Sequence, residues 1–233
     1  MIPRRIHYCW FGGQPLNPLA IRCLESWRTL LPGYEIKEWN ETNSPLEAPY
    51  CHAAFAARKW SRLSNYVRLH ALREEGGIYL DTDMEIVRSL DPLLGHRCFV
   101  AFQQKNKSAD WVNNAALGAE AGHSFLTRCL EATVEPFDRN GSLVRQPTVT
   151  TSVLKVLGLR SYGPQLCSGV SLLPCESFYP YPWYSNYVPA CVTEHTYGIH
   201  HWEASWHSDW LSRLVHAIRR FRHSITTKMT LPQ

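Results

Sequence analysis

The chain has 233 residues, 45% hydrophobic and 19% charged, which allows one domain with a sizeable core and argues against long disorder. A formal charge of +4 is too small to argue for a nucleic-acid partner, and no apolar run reaches the roughly eighteen residues of a membrane span. Eight cysteines without a CxxC pair argue against a structural zinc site. Because no leader-like apolar stretch follows Met-Ile-Pro-Arg-Arg, the thiols read as reduced and the protein as cytoplasmic.

In chain order, residues 4–10 read as a first strand, closed by Gly12-Gly13. A helix over 17–31 follows, with Asn17 as its cap. Its apolar stripe is Leu19, Cys23, Leu24, Trp27, Leu30 and Leu31, and Pro32-Gly33 stops it. Tyr34–Trp39 is a second strand, and strand–helix–strand is the unit of a mostly parallel sheet. After a polar loop at 41–50, a helical stretch spans about 51–75, broken near Trp60-Ser61 and ended by Gly76-Gly77. Ile78-Tyr79-Leu80 is a short buried strand, with further strands at Val100–Phe102 and Ala115–Leu117 and a helix at 123–134. The Pro-, Gly- and Tyr-rich region 160–200 reads as short strands and long loops. Residues 209–224 recover a helical pattern. There, Leu211, Leu214, Val215, Ile218, Phe221 and Ile225 share one side, while Arg213, Arg219, Arg220 and His223 lie on others. Such a basic amphipathic helix suits an anionic membrane surface.

The chemistry centres on Asp81-Thr82-Asp83 at the end of the buried strand. Side chains alternate along an extended backbone, so the two carboxylates are expected on one side, at the carboxyl end of the sheet, where open α/β folds bind ligands. Paired carboxylates suit a hard divalent ion, which could stabilise a diphosphate leaving group. Asn65 and Arg68 are three apart on the preceding helix, hence on one face, and the glycine pair turns that helix toward the carboxylates. Near the end lies His200-His201-Trp202-Glu203-Ala204-Ser205-Trp206. Adjacent histidines in extended chain point to opposite sides, so one of the two can reach a given metal.

Five stretches carry a resemblance in family order. They are IPRRIHYCWFGG (2–13), ESWRTLLPGYEIKEWNE (25–41), SNYVRLHALREEGGIYLDTDMEI (64–86), LGAEAGHSF (117–125) and HHWEASW (200–206). Together they resemble glycosyltransferase family 32, the group with the DXD-containing sugar-binding region. That group includes fungal outer-chain mannosyltransferases and bacterial capsule and lipopolysaccharide enzymes, and it is distantly similar to the clostridial glucosylating toxins. The resemblance implies an α/β fold of GT-A type, a single domain with a Rossmann-like mixed sheet over 1–208, leaving 209–233 as a basic C-terminal helix and tail. It also implies a nucleotide-sugar donor, Mn2+ (or Mg2+), a glycan or lipid-linked acceptor and retention of anomeric configuration. Localisation is then cytoplasmic, with the C-terminal helix as a peripheral attachment to the inner face of the membrane.

Carried over by position, the resemblance makes Asp83 a direct metal ligand. Asp81 would contact the ribose, and the metal through water. Arg68 would touch the donor sugar or its phosphates. His201, or His200, would supply a late metal or phosphate contact, and Trp206 a diphosphate contact. Tyr8, Trp10 and Phe11 would hold the base, and Asn113 and Asn114 would lie near donor sugar and acceptor. The chain departs from the family at Ser64-Asn65-Tyr66, where the family reads Ser-Asp-Tyr. An amide offers one acceptor oxygen and two donors in place of a carboxylate. The alternative function is therefore a nucleotide-sugar-binding protein with little or no turnover. A third reading is another divalent-metal enzyme, such as a phosphohydrolase built on Asp81, Asp83 and His201. Glu203 and Asp110 are candidate nucleophiles by elimination only.

Overall fold

The first strand, β1 (Arg5–Cys9), is buried at four of its five positions and runs parallel to both of its neighbours, β2 (Glu35–Trp39) and β3 (Gly77–Leu80). The computed structural model describes residues 1–144 and 146–203. Between β1 and β2 runs α1 (Pro18–Leu30). Asn17 Oδ1 accepts the Ala20 N–H at 2.8 Å, and Pro18 sits in the first turn, where a missing N–H costs nothing. Cys23, Leu24 and Trp27 are buried. Leu19 is half-buried and Leu30 exposed, so the apolar stripe is narrower than its spacing predicts.

The following helical stretch divides into α2 (Pro49–Ala56) and α3 (Trp60–Glu75). The break falls at residues 57–59, just before the expected Trp60-Ser61, with Arg58 at φ +51°. Gly76 and Gly77 then turn the chain with φ of +64° and +111°. A Cβ on Gly77 would come within 2.6 Å of Arg5 O, so glycine is required both for the turn and for the close approach of β1.

Past β3 the chain forms β4 (Met84–Ile86), β5 (Cys98–Phe102) and β6 (Val112–Ala119). The helices α4 (Ser124–Asn140) and α5 (Gln146–Val156) come next, then β7 (Gln165–Cys167), β8 (Val170–Leu173) and β9 (Gly198–His200). The central sheet has seven strands in the order β2-β1-β3-β6-β5-β8-β7. β6 is antiparallel to β3 and β5, β7 is antiparallel to β8, and β5–β8 is parallel. The sheet is therefore mixed, as the resemblance implies. β4 leaves it to pair antiparallel with β9.

Two cores flank the sheet. One gathers Val67, Leu72, Phe102, Trp111, Leu126 and Leu154 under α3, α4 and α5. The other gathers Ile6, Leu24, Trp27, Ile78, Phe99 and Phe178 under α1. The eight cysteines are free. Among the described residues no helix is long and apolar enough to cross a membrane. Trp206, the helix at 209–224 and the boundary between 208 and 209 lie outside the described residues.

Candidate active site

The two carboxylates meet through a turn. The Met84 N–H donates to Asp81 O at 2.9 Å, so residues 81–83 fold back instead of continuing the extended strand, and this replaces the expected alternation. Asp81 Oδ1 accepts from Arg68 Nη2 at 2.9 Å and from the Tyr79 hydroxyl at 3.0 Å. Arg68 is only 5% exposed. Its Nη1 donates to Asn114 O at 2.9 Å, and its guanidinium lies 4.4 Å over the Tyr79 ring. A buried, multiply bonded guanidinium of this kind is a fixed charge, not a solvated surface arginine. Asn65, one turn earlier on α3, is buried too.

Asp83 is held from the far end of the chain. Its Oδ2 accepts the Glu203 backbone N–H at 2.8 Å, and its Oδ1 lies 3.2 Å from His200 Nε2. One ligand atom from each of Asp81, Asp83 and His200 falls within 4.8 Å of the others. His201, the histidine first expected among the metal ligands, turns away, with Nε2 2.7 Å from Glu85 Oε2. Strand register explains the difference. β9 sets His200 opposite Met84, and alternation sends the next side chain to the other side.

Burial pushes the Asp81 carboxyl above the usual carboxylate range; Arg68 opposes this, and the charge of Asp83 adds to it. Burial acts on Asp83 in the same sense, but the His200 charge and the hydrogen bonds from His200 and Glu203 outweigh it and hold Asp83 low. For His200, burial would lower the imidazole, and the Asp83 carboxylate overcomes it and raises the value. Two buried polar atoms at the site, His200 Nδ1 and Asn114 Nδ2, have no hydrogen-bond partner among the described residues.

The other expected residues are less uniform. Tyr8 and Phe11 are buried, with the Tyr8 hydroxyl donating to Glu38 at 2.7 Å. Of the proposed base-holding trio only Trp10 presents a partly exposed ring. Asn114 Oδ1 accepts from Arg68 at 3.3 Å, whereas Asn113 is bonded to Gln103 at 2.8 Å. The Glu203 carboxylate accepts from Asn17 at 3.0 Å, and Asp110 accepts from Ser108 at 2.9 Å. Three contributors lay outside the sequence reading: Tyr79, Tyr179 and the Glu203 N–H. Tyr79 was recoverable, because it stands two residues before Asp81 on a strand and so shares its side. Tyr179 reaches Asn113 O at 3.2 Å and lies edge-on to His200, with ring centroids 5.5 Å apart. Nothing in its local sequence marks it.

Residues 18–100 match the family model described as a glycosyltransferase sugar-binding region containing a DXD motif. Residues 118–214 match the alpha 1,4-glycosyltransferase conserved region. Both matched models describe glycosyltransferase regions, the first of them the DXD sugar-binding region. The chain is similar to lactosylceramide 4-alpha-galactosyltransferase of Gorilla gorilla gorilla, at 31% identity over 60% of this chain and 44% of that protein. It is also similar to inositol phosphoceramide mannosyltransferase 3 of Schizosaccharomyces pombe, at 28% identity over 54% of this chain and 35% of that protein. The chain thus spans less than half the length of these two relatives. Among solved structures, the galactosyltransferase LgtC, determined with donor and acceptor sugar analogues, superposes with a TM-score of 0.50 at 15% identity over 98% of each chain. The PaToxG glycosyltransferase gives 0.51 at 18% identity, over 66% of this chain and 69% of that one. At such identities the likeness bears on the fold alone, which is of the GT-A type.

Proposed function

We propose that the chain is a metal-dependent, retaining glycosyltransferase that moves a sugar from a nucleotide-sugar donor to a glycan or lipid-linked acceptor. The observation that carries this reading is the convergence of Asp81, Asp83 and His200 within 4.8 Å, beside the buried guanidinium of Arg68. Two carboxylates and one imidazole fit a divalent ion that accepts both oxygen and nitrogen, such as Mn2+. The unpartnered Nδ1 of His200 marks an imidazole whose bonding the protein alone does not complete. Asp83 and His200 would hold the ion directly, with Asp81 beside them. Bound there, the ion supplies charge neutralisation for the diphosphate leaving group.

The chain's own residues do the rest. Arg68, fixed by Asp81 and Asn114, presents a preorganised positive charge to the donor's phosphates or sugar. Asp81 commits Oδ1 to Arg68 and Tyr79, which leaves Oδ2 to accept from a donor hydroxyl. One oxygen of Glu203 accepts from Asn17 and one of Asp110 from Ser108, nothing else singles either out as a nucleophile, and the reading adopted is front-face substitution, with the leaving phosphate taking the acceptor proton. The test is calorimetric titration of nucleoside diphosphates with and without Mn2+. Asp83→Asn is expected to weaken the Mn2+-dependent affinity by at least about 100-fold, the upper end of what losing even an outer-shell partner costs, with an unchanged circular dichroism spectrum. Undiminished binding in this variant rules out the site.

A further inference from the structure

Between Glu176 and Glu194 the chain carries no charged side chain, yet it holds Phe178, Tyr179, Tyr181, Trp183, Tyr184 and Tyr187. This aromatic segment straps the candidate site. Tyr179 packs edge-on against His200. Two residues on, Tyr181 O accepts from Trp202 Nε1 at 3.0 Å. The strap then returns, so that the Tyr187 ring lies 5.8 Å from His201 and 5.8 Å from Tyr181. Its two ends differ in exposure. Tyr181 is 5% exposed, whereas Tyr187 is 40% and Val188 54% exposed. Tyr187 is thus braced by two ring contacts while part of its surface faces solvent. A tyrosine so held offers a large contact area, and few torsions remain to be frozen on binding.

The chemistry of the strap narrows what it fits. A neutral sugar ring has one apolar C–H face and a rim of hydroxyls, which matches the flat face and hydroxyl tip of a tyrosine. An anionic headgroup would call for cations, and the strap has none. We propose that Tyr187 heads a subsite for a neutral sugar ring of the acceptor, at the rim of the candidate site. The inference rests on the glycosyltransferase reading. The donor diphosphate belongs at Asp81, Asp83 and His200, and Tyr187 reaches that site through Tyr181, whose carbonyl holds Trp202, the ring that lies 4.3 Å from His200. A ring stacked on Tyr187 therefore stands outside the place of the donor diphosphate, on the acceptor side.

Saturation-transfer NMR tests this on the full chain, with Mn2+ and a nucleoside diphosphate present and neutral methyl hexosides of the galacto, gluco and manno series as probes. At least one hexoside is expected to show saturation at its ring C–H protons. Tyr187→Ala should weaken its apparent affinity roughly tenfold, about what uncovering one ring face removes, whereas Tyr187→Phe, which keeps the ring, should stay within about twofold. An unchanged signal in Tyr187→Ala, an equal loss in Tyr187→Phe, or no signal with any hexoside overturns the subsite. So does Tyr187-dependent binding to phosphatidylcholine vesicles without a hexoside signal. Diphosphate binding is read in the same samples. If the unaltered chain binds no diphosphate with Mn2+, the glycosyltransferase reading itself fails; if it binds and the hexoside arm fails, only the subsite does.

Discussion

Asn65 brings an amide to a buried face of α3, one turn before Arg68, where the resembled family has Asp. Gln146 Nε2 donates to the Asn65 backbone carbonyl at 3.4 Å, and Arg68, one helical turn on, is held charged. A carboxylate at this position would accept from a donor-sugar hydroxyl and keep the ring aligned with the acceptor, where small errors of orientation cost rate steeply. N65D is therefore expected to raise donor hydrolysis or transfer by at least about tenfold and to leave affinity for the free diphosphate nearly unchanged. Paired kinetic and binding measurements on the two proteins check this. An unaltered rate, or an effect mainly on diphosphate affinity, removes Asn65 from the sugar. At this scale the sequence showed Asp81, Asp83 and Arg68 through their place beside one buried strand. It left His200 and His201 undecided, because strand pairing settles which imidazole turns inward. It did not show the Glu203 N–H at all, since a backbone donor has no residue type to announce it.

Elements meet at His7, which ties β1 to β2 and to the turn between α3 and β3. Its Nδ1 accepts from Trp39 Nε1 at 3.0 Å, so the ring hydrogen sits on Nε2 and is donated to Gly76 O at 2.8 Å. Burial pushes this imidazole below the ordinary histidine value, with Arg5 and Lys37 adding to the shift and the Gly76 bond and Glu75 opposing it. The fold therefore prefers neutral His7. As pH falls below about 6.5, the unfolded chain takes up the proton first, and stability drops until the folded value is passed. His70, His96 and His123 are lowered in the same sense. His200 is raised, so its contribution is present at low pH and is lost as pH rises through its folded value. The melting temperature of the unaltered chain is thus expected to fall between pH 7 and pH 5. His7→Gln should destabilise the fold at pH 7 by about 1–3 kcal/mol through the loss of buried hydrogen bonds, lowering the melting temperature, and should flatten the acid slope. A parallel slope in that variant removes His7 as a source of the effect. Periodicity and caps made β1, α1 and β3 legible. By contrast α5, whose sequence QPTVTTSVLKV is rich in β-branched residues, becomes a helix because it packs on β6 and α4, and tertiary contact overrides local preference.

For the molecule as a whole, the mixed sheet was legible only through the resemblance, because the insertion of β6 antiparallel between β3 and β5 depends on pairings that no local pattern encodes. Residues 209–233 lie outside the described structure, and in sequence they combine six apolar positions at helical spacing with an arginine cluster. We propose that this segment holds the protein on anionic membranes, which fits a lipid-linked acceptor. Co-sedimentation with phosphatidylserine-containing liposomes should fall when 210–233 is removed and weaken in high salt; equal sedimentation of both forms counts against it. The bond from the Glu203 N–H to Asp83 Oδ2 spans 120 residues of sequence, and it has a consequence for biosynthesis. On the ribosome, Asp83 emerges long before the imidazole and the amide that complete its surroundings. β4 likewise waits for β9, its strand partner among the described residues. Closing so long a loop comes late in folding. Until residue 203 has left the exit tunnel, Asp83 lacks the imidazole and the amide that hold it, so the ion site proposed above forms only after those residues have emerged.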